Sequence, residues 1–174
     1  MKVTSTDTTG MTPFVPAADN TRQLRDAFGR FATGVTIVTT ATENGPAAIT
    51  VNSFSSLSLD PPLVLWALDK SSNRYAHFTQ DQHFAIHVLA ANQEELCWRV
   101  AREGAEVLAS DLTTNTEGVP VLTDCLARFE CSRYASYDGG DHDIIVGQVM
   151  RVAMREDGHA LMFFKGKMTA SVAD

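Results

Sequence analysis

The sequence predicts a mainly β domain with short helices, folded as a closed or partly closed antiparallel barrel. Six or seven segments have the pattern of strands, whereas only three short segments have helical spacing. Strands and helices also do not alternate as they would in a doubly wound parallel sheet. With 174 residues, 44% of them hydrophobic, the chain is long enough for one core and too short for two full-sized domains. We therefore expect a single domain.

The first helix is predicted to begin after Asn20, a favourable N-cap, and to end at Gly34. Its apolar side chains recur at helical spacing and are expected to be buried, namely those of Leu24, Phe28 and Phe31. Residues 1–19 are rich in Thr, Asp and Pro, so we predict a flexible N-terminal arm that drapes over a partner subunit. The folded domain is then expected at residues 20–170.

The next elements are a hairpin, a buried strand and a short helix. Within residues 35–52, two alternating segments flank a turn at 43–45 and predict a β-hairpin. Residues 63–68 form a continuous apolar run, which is typical of a strand covered on both faces. Two serines precede a short helix at 73–78, whose first backbone N–H groups we expect to be free.

The second half of the chain is predicted to be rich in β-structure. A strand at 84–89 and a helix at 92–102 precede an irregular acidic stretch, after which residues 119–122 return to the core. Three antiparallel strands joined by Gly-rich turns are expected to follow, at residues 126–135, 143–154 and 159–164.

The composition excludes several classes of partner. The net charge is −7 and the 14 Lys and Arg residues are spread along the chain, which argues against nucleic-acid binding. No apolar run approaches the roughly 20 residues needed to cross a bilayer, and the first 19 residues lack the apolar region of a secretory signal. Three cysteines without a CxxC pair fit a reducing compartment. We expect a cytoplasmic protein that binds neither nucleic acid nor membranes.

The first candidate site is the segment 50–62. Six of its first nine positions carry short hydrogen-bonding side chains and none carries a charge, which suits a flat, polar, uncharged ligand. Asn52 and neighbouring backbone groups would meet the polar edge of a ring, and Ser55 and Ser56 an attached polyol chain. The alternative is a Ser/Thr-rich loop that is solvated before the turn at Pro61 and Pro62.

Two further segments are candidates. The segment Lys70-Ser71-Ser72-Asn73 at a helix start offers a cation, two hydroxyls and free amides to a phosphate, with Arg99 or Arg102 as an added cation. The alternative is a plain N-cap. Gly140 and its neighbours would let the backbone approach a planar substrate, and His142 would donate a hydrogen bond to this substrate or stack on it. The alternative is a hairpin turn with an incidental surface histidine.

The sequence does not contain the usual catalytic fingerprints. It has no G-x-S-x-G elbow, Walker phosphate loop, H-E-x-x-H or G-x-G-x-x-G motif. His83 and His87 have metal-like spacing but lie in a predicted core strand, so we expect no metal site.

Several motifs together, in this order, resemble the flavin reductase-like family over roughly residues 22–168. They are residues 34–39 (GVTIVT), 50–65 (TVNSFSSLSLDPPLVL), 84–89 (FAIHVL), Glu130-Cys131, Gly140-Asp141-His142 and Gly147-Gln148-Val149. The long serine-rich segment and the Gly-Asp-His turn are the specific elements.

This resemblance implies an FMN-binding split barrel, usually a homodimer, that reduces FMN or FAD with NADH or NADPH. Members often supply reduced flavin to a separate monooxygenase component. By position, the isoalloxazine and ribityl groups would be lined by Thr50, Val51, Asn52, Ser53, Ser55 and Ser56. Lys70, Ser71 and Ser72 would lie near the flavin phosphate, and Gly140, Asp141 and His142 near the nicotinamide. His142 is the predicted catalytic residue, which orients the carboxamide.

One departure and two alternatives accompany this interpretation. Many relatives have Gly-x-Tyr where this chain has Gly166-Lys167-Met168, so an aromatic contact is missing there. A non-enzymatic flavin-binding carrier or sensor would bind flavin without oxidising NAD(P)H. A split-barrel oxidase would instead hold its flavin tightly as a prosthetic group.

Overall fold

The computed structural model describes residues 10–108 and 110–171, without the side chains of 106 and 107. Within this part of the chain there are three α-helices, α1 (Thr21–Phe28), α2 (Tyr75–Gln80) and α3 (Glu94–Glu103), and two 3-10 turns, Ala91–Gln93 and Gly104–Leu108. The strands are β1 (Thr33–Gly34), β2 (Thr36–Thr42), β3 (Gly45–Val51), β4 (Ser55–Leu59), β5 (Pro62–Asp69), β6 (His83–Val88), β7 (Leu112–Thr114), β8 (Pro120–Leu122), β9 (Ala127–Gly139), β10 (His142–Met154), β11 (Leu161–Phe164) and β12 (Lys167–Ala170).

Every strand pairing among the described residues is antiparallel, which confirms the predicted fold class. Seven strands form the main sheet in the order β3-β2-β6-β9-β10-β5-β4. A three-stranded sheet contains β1, β11 and β12, and β7 pairs with β8. No helix in the described ranges is long and apolar enough to cross a membrane.

The predicted hairpin within residues 35–52 is confirmed. β2 and β3 pair from Thr36 opposite Val51 to Thr42 opposite Gly45. Gly45 has φ of 111°, a conformation that favours glycine, so the turn closes where the sequence predicted it.

The first helix is shorter and less buried than predicted. It ends at Phe28 because Lys165 N donates to Gly29 O (2.8 Å) and Thr33–Gly34 then pairs with β11. Phe28 and Phe31 are 68% and 76% exposed, so the prediction that this face is buried within the chain is wrong. Asn20 is the N-cap residue, but its side chain bonds Ala17 N and Val15 O of the preceding arm. The part of the arm at residues 1–9 lies outside the described residues.

Two further predictions about strands are corrected. Residues 161–164 do not join β10; β11 pairs with β1 and β12 in the smaller sheet. In β5, the side chains of Val64, Trp66 and Leu68 are buried, whereas those between them are half-buried, so one face is covered more fully than the other. The alternation was hidden because both faces of this strand are apolar in sequence.

The core lies on both sides of the main sheet. Val38 belongs to a cluster with Trp66 and Phe84, while its neighbour Ile37 belongs to a second cluster with Val100. In β6, the buried His87 joins two strands because its Nδ1 lies 3.0 Å from Ile37 O and its Nε2 accepts from Leu122 N (3.1 Å). Burial lowers the pKa of His87 to about 4, so this imidazole is neutral.

Candidate functional site

A cavity of about 480 Å³ opens where β3 and β5 end, next to the loop before α2, the end of α3 and the start of β10. It brings together six residues that the sequence analysis proposed, namely Thr50, Val51, Asn52, Ser53, Ser72 and His142. Asn73 of the predicted phosphate cradle and Arg102, the predicted added cation, also line it. Two polar residues that were not proposed, Asp69 and Arg74, complete the polar lining.

The two halves of the serine-rich segment have different positions. Thr50 to Ser53 reach the cavity, whereas Ser55 and Ser56 lie outside its lining in β4, at the edge of the main sheet. Ser55 and Ser56 are both exposed, and Ser55 Oγ donates to Ser56 O (3.1 Å). The change of direction after Ser53 therefore separates residues of similar chemistry.

The hydroxyls of Thr50 and Ser53 form hydrogen bonds within the protein. Thr50 Oγ1 donates to Cys97 O (3.0 Å), which ties β3 to α3. Ser53 Oγ accepts from Ala67 N (2.9 Å), which ties the segment to β5. Asn52 Nδ2 donates to Thr33 Oγ1 (3.3 Å), while its Oδ1 has no hydrogen bond within the described part of the chain. The Asn52 carboxamide oxygen is therefore an acceptor that this segment offers to a ligand.

The predicted phosphate cradle is largely occupied by the protein itself. Asp69 Oδ1 accepts from both the backbone N and the Oγ of Ser71 (2.7 Å each), which lowers the pKa of the Asp69 carboxyl. Ser72 Oγ accepts from Arg74 N (3.2 Å), and Tyr75 N donates to Ser72 O. The expectation that the first amides near this helix are free is therefore wrong for Ser71, Ser72, Arg74 and Tyr75.

The contacts of Lys70 also differ from the predicted role in phosphate binding. Its Nζ contacts Asp138 and donates to Gly140 O (2.7 Å), and neither Lys70 nor Ser71 lines the cavity. Ser72 and Asn73 are thus the members of the predicted cradle that reach the cavity.

Two arginines supply positive charge to the cavity. Arg74 donates to Ala101 O and Arg102 O (3.3 Å each), so it satisfies carbonyls at the end of α3 while it lines the cavity. Arg102 was predicted as a possible added cation, and it lines the same wall. Arg99 is not part of the lining. Arg74 was overlooked although it directly follows the Ser-Ser-Asn motif in sequence.

His142 lies at the start of β10, beside the tight turn of the β9–β10 hairpin. Its backbone is in register with Asp69 on one side and Gly139 on the other. Its Nδ1 lies 2.7 Å from Asp141 Oδ1, and its side chain is 39% exposed. Gly140 has φ of 86°, as the turn requires, but Gly140 and Asp141 themselves are not in the lining.

A second cavity of about 840 Å³ adjoins the first at Asn52. Helix α1 and the β11–β12 turn enclose it, with aromatic side chains from Phe28, Phe31 and Phe163. This space was not expected from the sequence, because the helical spacing of Phe28 and Phe31 predicted that both are buried in the core.

Comparison with known proteins identifies what this arrangement is similar to. Residues 28–171 match the family model described as "Flavin reductase like domain". The chain is 54% identical over 153 residues to "FMN reductase (NADH) SmoA" of Agrobacterium fabrum, with 88% of this chain and 87% of the relative covered. It is 34% identical over 169 residues to "Flavin-dependent monooxygenase, reductase subunit HsaB" of Rhodococcus jostii, covering 97% and 87%.

A solved structure shows the same fold. The NADH:FAD oxidoreductase SgcE6 of Streptomyces globisporus, in complex with NAD and FAD fragments, superposes with a TM-score of 0.85 at 32% identity. The match covers 93% of this chain and 99% of that one.

Proposed function

Since the chain belongs to the flavin reductase-like family, we propose that it transfers a hydride from NADH to FMN or FAD and supplies the reduced flavin to a separate monooxygenase. It is an oxidoreductase, and its relatives include an FMN reductase (NADH) and a reductase subunit of a flavin-dependent monooxygenase. NADH is named for both the Agrobacterium relative and the Streptomyces structure, which favours it over NADPH as the donor.

The observation that carries this proposal is the cavity beside Asn52. Its volume of about 480 Å³ lies within the range of roughly 300–1,000 Å³ that is usual for small-molecule sites. The flavin supplies the redox chemistry when bound, and the protein has to bind and orient it. Asn52 Oδ1 is an acceptor without a partner in the described part of the chain, as the N–H of a flavin ring requires.

His142 is proposed to orient the nicotinamide. If its Nδ1–H donates to Asp141, its Nε2 is an acceptor for the amine of the carboxamide. His142 and Asn52 line the same cavity, so both rings would meet there. Arg74 and Arg102 provide the charge that a nucleotide phosphate requires.

We also propose a homodimer, with residues 20–170 as its folded unit and residues 1–19 as an arm. Large apolar side chains are exposed on β4 and on the end of β10, namely Leu57, Leu59, Met150, Val152 and Met154. Beyond Gln148, β10 is no longer paired with β5. An apolar surface of this kind supports burial against another protein chain.

The proposal is tested by following the absorbance of NADH with FMN, FAD and riboflavin added separately. We expect oxidation that depends on added flavin. In Asn52→Ala, loss of one hydrogen bond should raise the KM for flavin about 3- to 10-fold. Asn44→Ala, at the opposite end of the same hairpin, is the matched control and should leave the KM unchanged.

Two results would contradict the proposal. Flavin binding without NADH oxidation would indicate a carrier or sensor. Yellow protein whose activity does not respond to added flavin would indicate a tightly bound prosthetic group.

A further inference from the structure

We propose that Lys70 is a positioning residue, which fixes the turn between β9 and β10 so that His142 is held at the cavity. This inference rests on the proposed function, because it concerns how NADH is oriented. It replaces the role in phosphate binding that the sequence suggested for Lys70.

Lys70 contacts the turn through both its backbone and its side chain. Its backbone N donates to Asp141 O (3.0 Å), and its Nζ donates to Gly140 O (2.7 Å). The same Nζ forms ion pairs with Asp138 and, at 3.4 Å, with Asp143. One residue at the end of β5 therefore contacts four of the six residues from 138 to 143.

Several carboxylates surround the turn between β9 and β10, so a cation is needed there to offset their repulsion. Asp138 and Asp143 are directly opposite each other in the β9–β10 pairing, where like charges destabilise a hairpin. Asp141 lies between them, and Asp69 faces His142 from β5. The side chain of Tyr75, from α2, donates to the second oxygen of Asp143. Lys70 Nζ lies between the two opposed carboxylates, and its pairing with Asp138 raises the pKa of Lys70.

These contacts determine the position of His142. Its two sequence neighbours, Asp141 and Asp143, are both held by Lys70. The imidazole itself contacts the Asp141 carboxylate, whose side chain is 92% exposed and cannot be fixed by packing. Gly140 at the tip adds conformational freedom rather than restricting it. Backbone pairing holds His142 between Asp69 and Gly139. Besides this pairing, the side-chain hold on the turn comes mainly from Lys70.

The same contacts argue against Lys70 as a phosphate ligand. Its ammonium is already surrounded by three oxygen-bearing groups, and its side chain is outside the cavity lining. A change at Lys70 should thus affect the nicotinamide end of the site and not the flavin.

The test compares Lys70→Ala and Lys70→Met with Lys70→Arg, which keeps the charge. We expect the first two to raise the KM for NADH about 10-fold with the KM for FMN changed less than about twofold, because a displaced His142 no longer orients the carboxamide. The arginine variant should recover most of the loss. Arg155→Ala, which removes an ion pair with Asp124 outside the cavity lining, is the matched control.

Hydrogen exchange gives a second measurement that does not depend on turnover. Amides at residues 138–143 should exchange faster in Lys70→Ala, while those of β2 and β6 keep their protection, and calorimetry should show weaker binding of NAD⁺. If the KM for FMN rises instead, Lys70 is a phosphate ligand and the inference is wrong. Unchanged exchange in the turn would equally overturn it. Absence of NADH oxidation in the unaltered protein would defeat the proposed function alone, since the exchange experiment would still report whether Lys70 holds the turn.

Discussion

The two ends of the β9–β10 strand pair carry similar ionic groups in different surroundings. At one end, the Glu130 side chain is only 5% exposed and contacts Arg128 Nε and Arg151 Nε (2.9 Å each). At the other end, the Asp138 side chain is 81% exposed and pairs with Lys70. Glu130 and Asp138 both lie in β9 and both pair with cations, but we infer that they have different roles. The buried Glu130 stabilises the fold, whereas the exposed Asp138 helps to position the turn at the cavity.

The buried carboxylate is stabilised by more than charge. Burial by itself would raise the pKa of Glu130, but hydrogen bonds from Arg151 and Asn115 outweigh it and hold the pKa below its usual value. Glu130 also links three parts of the chain, because Asn115 precedes β8, Arg128 lies in β9 and Arg151 in β10.

The largest expected effect is the loss of this buried carboxylate. Glu130→Ala leaves two guanidinium groups without their shared partner, so we expect the free energy of unfolding to fall by about 3 kcal/mol. Urea unfolding followed by circular dichroism would measure it. Glu130→Gln keeps some hydrogen bonds and should lose less, and Asp124→Ala, which removes an exposed pair, should change little. Equal losses from Glu130→Ala and Asp124→Ala would contradict the distinction by burial.

A second effect, a fall in the free energy of unfolding, should appear on mild acidification. It is caused by His87, which pairs with Arg128 near Glu130. In the folded protein its pKa is about 4, against 6.5 for a solvated imidazole. The unfolded state therefore binds the extra proton first, so stability is complete above about pH 6.5 and falls by about 1.4 kcal/mol per pH unit below it. Urea titrations at about pH 6.5 and 5 should differ by about 1.5 kcal/mol. In His87→Gln this pH dependence should largely disappear; if the slope persists, other groups cause it.

The sequence predicted local structure better than it predicted such contacts. The β2–β3 hairpin follows from alternation around Gly45, which is a short-range property. Glu130 and Arg151 are 21 positions apart, and Lys70 and Asp138 are 68 apart, so only the strand register brings them together. Ser53 and Ser55 have the same chemistry in sequence, and only the path of the chain separates them. The aromatic face of α1 was assigned to the core because helical periodicity does not indicate what covers a face.

Between the two ends, β10 passes close to the core at Gly147, which provides a third test. A Cβ at this position would lie 2.5 Å from Phe84 Cζ and 3.1 Å from Cys131 Cβ. Gly147→Ala should therefore cost about 1–3 kcal/mol of unfolding free energy by overpacking, without altering the ion pairs at either end. Thermal and urea unfolding would measure the loss. Gly34→Ala is the control, since an added methyl there meets nothing within 4 Å.

The smallest expected change in stability is at the exposed end. Asp138→Ala removes the main ionic partner of Lys70, but water already screens this pair, so the urea midpoint should stay within experimental error of the unaltered protein. The KM for NADH should nevertheless rise about threefold, less than for Lys70→Ala, because the ammonium keeps Gly140 O and Asp143. Combining Asp138→Ala with Lys70→Ala should add little to the effect of the lysine change, since both act through one contact. A fall in stability like that of Glu130→Ala would mean that the two ends do not differ in their roles. An unchanged urea midpoint with a raised KM for NADH would show that this ion pair positions the site without stabilising the fold.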